Sequence, residues 1–460
     1  MPNSGPPHPI DVAVARSTPS PDNRLPKQPQ RSRVLLPRPA RPPGVATLKT
    51  VTVVIGSQPQ GCRYQSLLEA LAADGELELD LVVCGRRTYP ELDRRCCELT
   101  ARGFSIRQRV ELSEPFEALG DGLLTATPRS VAFAEAFHGV AADLVLLLGP
   151  AREMLAAAQA ARAAKLPVVC LHHEVAAPAT GADGEVSPVE ATAEAIRGAL
   201  LELSRHHLVT CDVDRATLIA QGQAAQQVTV CGSPVLDELK GTTLCELDWL
   251  ATRWGLPTEE RYLLVSYLAD PVAEVSAAEQ VRNLLEAVEA TELPVVFARA
   301  SGMARDESTW GPFRDYAASR ADVSLVDRCD WPTYWSLLGA AEAIVGNVPT
   351  GLVEAAWLGV PFVNIGSRLR QRPAVLAVLE AGYERDEIFA SIATVTAKEF
   401  RGLYASDEAP YGDGTSAAQI VDVMRGMLDL PRQAAEVSEA QVVVPSLGGE
   451  PVSLSEPSIG

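Results

Sequence analysis

The chain carries the stretch AIVGNVPTGLVEAAWLGVPFVNIGSRLRQRP at residues 343 to 373, and this stretch decides how its fold is predicted. It predicts a buried strand at 343–345, a helix that begins near Pro349 and Thr350, and a second buried strand at 362–365. Proline suits the first position of a helix, and glycine lets the backbone approach a ligand closely. Free N–H groups at a helix start favour an anion, and the Arg-rich loop adds positive charge. The stretch therefore predicts a nucleotide-diphosphate site, with an ordinary strand–helix junction as the alternative.

The rest of the chain repeats this alternation of short apolar runs and segments at helical spacing. The runs lie at 51–55, 79–83, 143–148, 166–171, 208–210, 262–268, 293–298, 323–326, 343–345 and 362–365. Short buried runs between amphipathic helices predict parallel strands that are covered on both faces. We therefore expect an α/β chain with two doubly wound, Rossmann-like domains and a ligand cleft at their strand carboxyl ends. Two further helices, predicted at 376–391 and 415–429, should pack across the hinge or on the first domain.

Composition places the boundaries of these domains. Residues 1–48 hold twelve prolines and seven Arg or Lys against two Asp, which predicts a disordered, basic tail. The first domain is predicted at 49–235 and the second, nucleotide-binding domain at 236–430. Residues 431–460 are rich in Pro, Ser, Gly and Glu and are predicted to be a second disordered tail. The basic tail is a candidate docking segment for an unknown partner, with a solvated leader as the alternative.

Charge and apolar content exclude several classes of function. The 460-residue chain has a net charge of -19, which disfavours nucleic acid as a partner. Its longest apolar runs are strand-sized, so no membrane segment and no secretory signal are predicted. The nine cysteines form no C-x-x-C pair, so we expect no metal site, and free thiols favour a cytoplasmic location. No cofactor is predicted, and a homodimer is left open.

Four stretches together resemble the hydrolysing branch of the UDP-N-acetylglucosamine 2-epimerase family. They are LLLGPAREMLAAAQAA at 146–161, LPVVCLHHEV at 166–175, CGSPVLDEL at 231–239 and the stretch from 345 to 372. The resemblance runs from about Val51 to about Phe400 and implies the two-domain GT-B architecture. It also implies a UDP-sugar ligand and anti-elimination of UDP from UDP-N-acetylglucosamine, followed by hydration to N-acetylmannosamine.

The resemblance also assigns candidate residues for this chemistry. A base, an acid and help for the departing diphosphate are needed, and carboxylates with His or Arg supply such roles. The catalytic candidates are Glu174, His172 and Glu194, with a solvated loop as the alternative for the first two. The candidate nucleotide-sugar residues are Gly346, Asn347, Thr350, Gly351, Glu354, Arg368, Arg372 and Arg197. Among these, Glu354 is the residue that the resemblance implies contacts the nucleoside.

Several positions depart from the pattern of the family. The Arg-x-Asp-Tyr run after the first strand has Gly61 at the Arg and Arg63 at the Asp, although Tyr64 matches. The family's Gly-Asp-Arg is Gly-Pro-Ala at 149–151, and its His-Pro corresponds to Asp270-Pro271. These departures leave a catalytically inactive scaffold or regulator as the alternative to a divergent enzyme. A GT-B glycosyltransferase is the third hypothesis.

Overall fold

The computed structural model of the chain describes residues 48–429, with short gaps. The gaps are 57–62, 87–89, 113–125, 139–141, 150, 173–187, 257–260, 272, 301–302, 304–305, 370–371, 374–376 and 401–409. The two predicted tails, Glu174 and Arg370 therefore lie outside the described residues. None of the helices within the described part is long and apolar enough to cross a membrane.

The first sheet contains seven strands, all of which pair in parallel. The strands are β1 (Lys49–Ile55), β2 (Leu77–Arg86), β3 (Ile106–Leu112), β4 (Leu144–Leu148), β5 (Val168–His172), β6 (His206–Val209) and β7 (Val228–Val230). They are ordered β3-β2-β1-β4-β5-β6-β7. The strand order reverses between β1 and β4, which is where a doubly wound sheet opens a ligand crevice.

The second sheet repeats this arrangement with six parallel strands. They are β8 (Leu263–Ser266), β9 (Val295–Ala300), β10 (Val323–Cys329), β11 (Ala343–Gly346), β12 (Phe362–Ile365) and β13 (Val378–Ala381). Their order is β10-β9-β8-β11-β12-β13, so the switch point lies between β8 and β11. The predicted architecture of two doubly wound α/β sheets is confirmed.

Helices cover both faces of each sheet. Those between the strands of the first sheet are α1 (Gln65–Ala73), α2 (Pro90–Ala101), α3 (Ala126–His138), α4 (Arg152–Ala163), α5 (Pro188–Leu203) and α6 (Asp212–Ala220). Those that follow are α7 (Pro234–Gly241), α8 (Leu247–Trp254), α9 (Ala277–Glu289), α10 (Glu307–Ala318), α11 (Trp331–Ala340), α12 (Glu354–Trp357), α13 (Arg385–Val395) and α14 (Ser416–Asp429).

Alternation along the strands builds a separate core on each face, because successive side chains point to opposite sides. In β1, Val53 and Ile55 pack with α1, α2 and α14, whereas Val54 packs on the opposite face with α3, α4 and α5. In β8, Leu264 packs with α7, α8 and α11, whereas Leu263 packs with α9, α10 and α13. Burial of both faces explains why the central strands are continuous apolar runs in the sequence.

The last helix of the described chain returns to the first sheet. Ile420 and Met424 of α14 are fully buried in the same cluster as β1 and α1. The helix start is held by Asp237 of α7, whose carboxylate accepts the N–H groups of Ser416 at 3.0 Å and Ala417 at 2.9 Å. The predicted helix at 415–429 therefore packs on the first domain, which is one of the two expected positions.

Two of the edge strands, β3 and β13, were not predicted. The sequence analysis did not predict β3, in which exposed residues alternate with buried ones over IRQRVEL. The helix predicted at 376–391 is wrong in its first half, because β13 occupies Val378–Ala381 and α13 begins only at Arg385. An edge strand contacts one neighbour and leaves polar residues in solvent, so it lacks the apolar run that marks a central strand.

Candidate functional site

The switch point of the second sheet brings together the loops that follow β8 and β11. Asn347 is fully buried, and its Oδ1 accepts the N–H of Leu268 at 3.0 Å. Its Nδ2 donates to the carbonyl oxygen of Leu268 at 2.7 Å. The side-chain amide therefore joins the two loops, and a ligand contact by Asn347 stays a prediction.

Two glycines let the β11 loop lie against the sheet. A Cβ on Gly346 would stand 1.9 Å from the carbonyl oxygen of Ser266, and a Cβ on Gly351 would stand 2.6 Å from the ring of Phe362. Thr350, between them, is buried, and its hydroxyl lies 3.1 Å from that of Tyr334. Both glycines are therefore explained by close packing, whatever ligand the loop contacts.

The predicted helix that begins at Pro349 is replaced by less regular structure. Pro349–Gly351 form a 3₁₀ turn, and α12 has only four residues. The N–H groups of Gly351 and Leu352 donate to the carbonyl oxygens of Val348 and Pro349, both at 3.0 Å. Pro349 itself has no N–H group. The expected row of free donors at a helix start is therefore wrong for this loop.

Glu354 is the buried charge of this site. It is 0% exposed, and its Oε1 accepts a hydrogen bond from Arg63 Nη2 at 2.6 Å. The Arg63 guanidinium carbon also lies 4.5 Å from the centroid of the Trp331 ring, a cation–π arrangement. Arg63 follows β1 and Glu354 follows β11, so the ion pair joins the switch points of the two sheets.

A second polar cluster connects the loops after β8 and β13. The Asp270 carboxylate is buried and accepts the hydroxyl proton of Tyr383 at 2.6 Å. Burial, together with the neighbouring carboxylate, raises the pKa of Tyr383 to about 12, so the phenol stays a donor. Gly366, with φ +83°, makes room for the Tyr383 ring. The sequence analysis missed Tyr383, because the strand that precedes it was predicted as helix.

The two predicted arginines of this region differ in their surroundings. Arg368 is exposed beside the Asp270 cluster, whereas Arg372 is half-buried and its N–H donates to the Leu369 carbonyl at 3.1 Å. Their contact with an anion stays a prediction.

His172 lies at the carboxyl end of β5 but is buried in the first domain. Its Nε2 lies 3.1 Å from His207 Nδ1, and its Nδ1 lies 3.9 Å from Cys170 Sγ. His207 in turn contacts Gln223 Oε1 at 3.1 Å. Burial raises the pKa of the Cys170 thiol to about 12, so this chain of contacts ends on a neutral group. A catalytic role for His172 stays a prediction.

Glu194 and Arg197 are brought together on one face of α5. Their side chains form an i, i+3 ion pair, with 35% of the Glu194 side chain exposed and 14% of the Arg197 side chain exposed. The helix packs on the first sheet through Leu200 and Ile196, which anchors the pair to that sheet. The sequence analysis predicted a catalytic role for Glu194 and a nucleotide-sugar contact for Arg197. In the structure the two side chains contact each other.

Comparison with known proteins identifies this architecture. The sequence profile described as UDP-N-acetylglucosamine 2-epimerase matches residues 69–425. The chain belongs to the UDP-N-acetylglucosamine 2-epimerase family. It is 25% identical over 386 residues to the UDP-N,N'-diacetylbacillosamine 2-epimerase (hydrolyzing) of Legionella pneumophila, with 82% of this chain and 96% of the relative covered. The family that the sequence resembled is therefore confirmed.

Two solved structures share the fold of the chain. The S. aureus MnaA–UDP co-structure has a TM-score of 0.65 and 15% identity, and covers 84% of this chain and 98% of its own. The UDP-GlcNAc 2-epimerase of Neisseria meningitidis bound to UDP-GlcNAc has a TM-score of 0.62 and 18% identity, with 82% and 100% covered. The predicted GT-B architecture of this epimerase-family chain is thereby confirmed.

The half-buried His206 and the buried His207 predict that this epimerase-family chain loses stability in acid. Burial, with the charges of His207 and Arg205, lowers the pKa of His206 to about 4, and burial lowers the pKa of His207. The unfolded chain binds these protons near pH 6.5, before the folded chain does. We therefore expect the free energy of unfolding to fall as the pH decreases from about 6.5 towards about 4.

Urea unfolding at pH 7.5, 6 and 5 measures this dependence. His206→Gln should unfold with a shallower pH dependence, whereas His138→Gln, at the exposed end of α3, should keep the dependence of the unchanged chain. Equal pH dependence in His206→Gln and the unchanged chain would contradict the assignment.

Proposed function

We propose that this chain is a hydrolysing 2-epimerase that acts on a UDP-linked 2-acetamido sugar. The observation that carries the proposal is the fully buried Glu354 at the β8/β11 switch point, in a chain that the family profile matches over residues 69–425. Relatives named for UDP-GlcNAc and for UDP-N,N'-diacetylbacillosamine support this class of substrate. Glu354 would hold the nucleoside, and Gly346, Thr350, Gly351, Arg368 and Arg372 would line the sugar-nucleotide site.

The proposed reaction consumes one water and releases UDP. A base removes the proton at C2 of the sugar while the bond from C1 to the diphosphate oxygen breaks, which leaves a C1–C2 double bond. Water then adds a hydroxyl at C1 and a proton at C2 on the opposite face, giving N-acetylmannosamine from UDP-N-acetylglucosamine. Glu174 and Glu194 are the carboxylates proposed for these proton transfers, with His172 as the third group.

The experiment follows the reaction by proton NMR in deuterium oxide. The full chain is incubated with UDP-N-acetylglucosamine and, separately, with UDP-N,N'-diacetylbacillosamine. We expect UDP to be released and deuterium to appear at C2 of the free sugar product. UDP release without deuterium at C2 would point to simple hydrolysis and would refute the elimination.

A second candidate function is binding of a UDP-sugar without turnover. The observation that favours it is that His172 contacts His207 and Cys170, and that Glu194 is paired with Arg197, within the first domain. In that case UDP should raise the thermal unfolding temperature, while no UDP is released from either substrate at micromolar enzyme. Turnover that Glu194→Gln abolishes would exclude this candidate.

We also propose a reducing compartment, the cytoplasm, for this chain. The proposal is supported by the free thiols of the described cysteines, six of which are buried: Cys84, Cys96, Cys170, Cys211, Cys231 and Cys329. A homodimer and a partner for the N-terminal tail remain proposals.

A further inference from the structure

Arg63 covers the carboxylate that the proposed function assigns to the nucleoside. The Arg63 side chain is 28% exposed, whereas the Glu354 side chain to which it is bonded is 1% exposed. Trp331, under the guanidinium, is 6% exposed. The cation therefore forms the solvent side of the pair, and the carboxylate lies beneath it.

The position of the Arg63 guanidinium on the solvent side of Glu354 has a direct steric consequence. A ribose hydroxyl that approaches Glu354 from solvent meets the guanidinium first. A buried carboxylate also cannot be left without compensation, since an uncompensated buried charge is strongly destabilising. Donors of the ligand can supply this compensation in place of the Arg63 hydrogen bond as the guanidinium moves away.

The diphosphate of the ligand is a suitable second partner for the Arg63 guanidinium once it has left Glu354. Arg63 Nε is buried and makes no hydrogen bond in this structure, so the group has donor capacity beyond its bond to Glu354. The loop after β11 offers little to a diphosphate, because the Gly351 and Leu352 N–H groups are bonded within the turn. A guanidinium is well suited to bind phosphate oxygens, which it can contact through two parallel N–H groups.

We propose that Arg63 exchanges partners when the ligand binds. In this structure it bridges the two sheets by pairing with Glu354 and stacking on Trp331. In the bound protein the ribose hydroxyls take Glu354, and Arg63 moves to the diphosphate, so that one residue both guards the nucleoside site and selects for phosphate. This inference rests on the proposed binding of a UDP-sugar.

The test compares the affinities for uridine and for UDP in the full chain and in Arg63→Ala. Loss of a charge-assisted hydrogen bond to phosphate should weaken UDP binding about tenfold. Removal of the covering cation should strengthen uridine binding by roughly twofold or more, because an ion pair no longer has to be broken. Titration calorimetry gives both dissociation constants, and Arg63→Lys should lie between the two proteins because it keeps the charge without the planar fork.

Arg109→Ala is the matched control. Arg109 of β3 pairs with Asp93 of α2 at 3.3 Å, but both side chains are more than half exposed. Its removal changes the net charge by the same amount and should alter neither affinity.

The possible changes in the two affinities lead to different conclusions. Weaker UDP binding with stronger uridine binding supports the exchange. Stronger binding of both ligands would show that Arg63 only obstructs the site, and unchanged affinities would show a purely structural pair. Either result overturns the exchange, whereas failure of the unchanged chain to bind UDP would refute the proposed function itself. If Arg63→Ala does not fold, an unaltered ratio of the two affinities in Arg63→Lys overturns the proposal equally.

Discussion

Replacement of Gly346 by Ala is expected to destabilise the second sheet by on the order of 4 kcal/mol. The new Cβ would lie 1.9 Å from the carbonyl oxygen of Ser266, a backbone atom that cannot move without disturbing the pairing of β8 with β11. Gly346 also has φ +153°, a conformation that favours glycine. Urea unfolding measures the loss, and an effect below about 1 kcal/mol would contradict this account of the turn.

Gly426→Ala is a control for which the opposite change in stability is expected. Gly426 lies on the exposed side of α14, and a Cβ there would meet no atom within 4 Å. Alanine is favoured over glycine in the middle of a helix by about 0.5–1 kcal/mol, so this variant should be more stable than the unchanged chain. The same chemical change should therefore destabilise one site and stabilise the other.

Replacement of Glu354 by Ala is expected to weaken UDP binding about a hundredfold, because the proposed site loses charge-assisted hydrogen bonds to the ribose hydroxyls. The carboxylate is fully buried and faces the guanidinium of Arg63, so no nearby side chain can take its place without rearrangement of the loop. Titration calorimetry with UDP, at the temperature where the variant is folded, measures the change. Binding within twofold of the unchanged chain would show that Glu354 is a structural anchor only.

Glu342→Ala is the matched control for that measurement. Glu342 is also buried and paired with an arginine, Arg261, at 3.7 Å. It lies just before β11, whereas Glu354 lies beyond the carboxyl end of that strand. Glu342→Ala should therefore lower the stability of the chain without changing its affinity for UDP. The comparison separates a loss of affinity caused by an arginine left without its carboxylate from one caused by the loss of a ligand contact.

Much of the fold could be predicted from periodicity. The central strands β1, β4, β8 and β11 are apolar runs because helices cover both of their faces, and this property is local in the sequence. The edge strands β3 and β13 escaped prediction because they keep polar residues, whereas the edge strand β10 was predicted from its apolar run at 323–326. The short α12 escaped as well, since the Pro-Thr-Gly run at 349–351 is compatible with the start of a helix and with a 3₁₀ turn.

The sequence predicted which residues belong to the candidate site better than it predicted which of them contact each other. Glu354 and Gly346 were singled out from the sequence, and the structure places both at the switch point of the second sheet. Arg63 was noted only as a departure from the family pattern, and nothing near it in the sequence indicates its partner. His172 was selected for its place at a strand end, yet its contacts are with buried groups of its own domain.

The amino-acid sequence by itself therefore determined the fold class, the family and the glycines at which the backbone has no room for a side chain. These features follow from burial pattern and backbone conformation, which are set within a few residues. Only the tertiary structure decided that Arg63 covers Glu354, 291 residues further along the chain, and that His172 is held by His207. Such partners are determined by the order of strands in each sheet and by contacts between loops that are distant in the chain, and the local spacing of residues specifies neither.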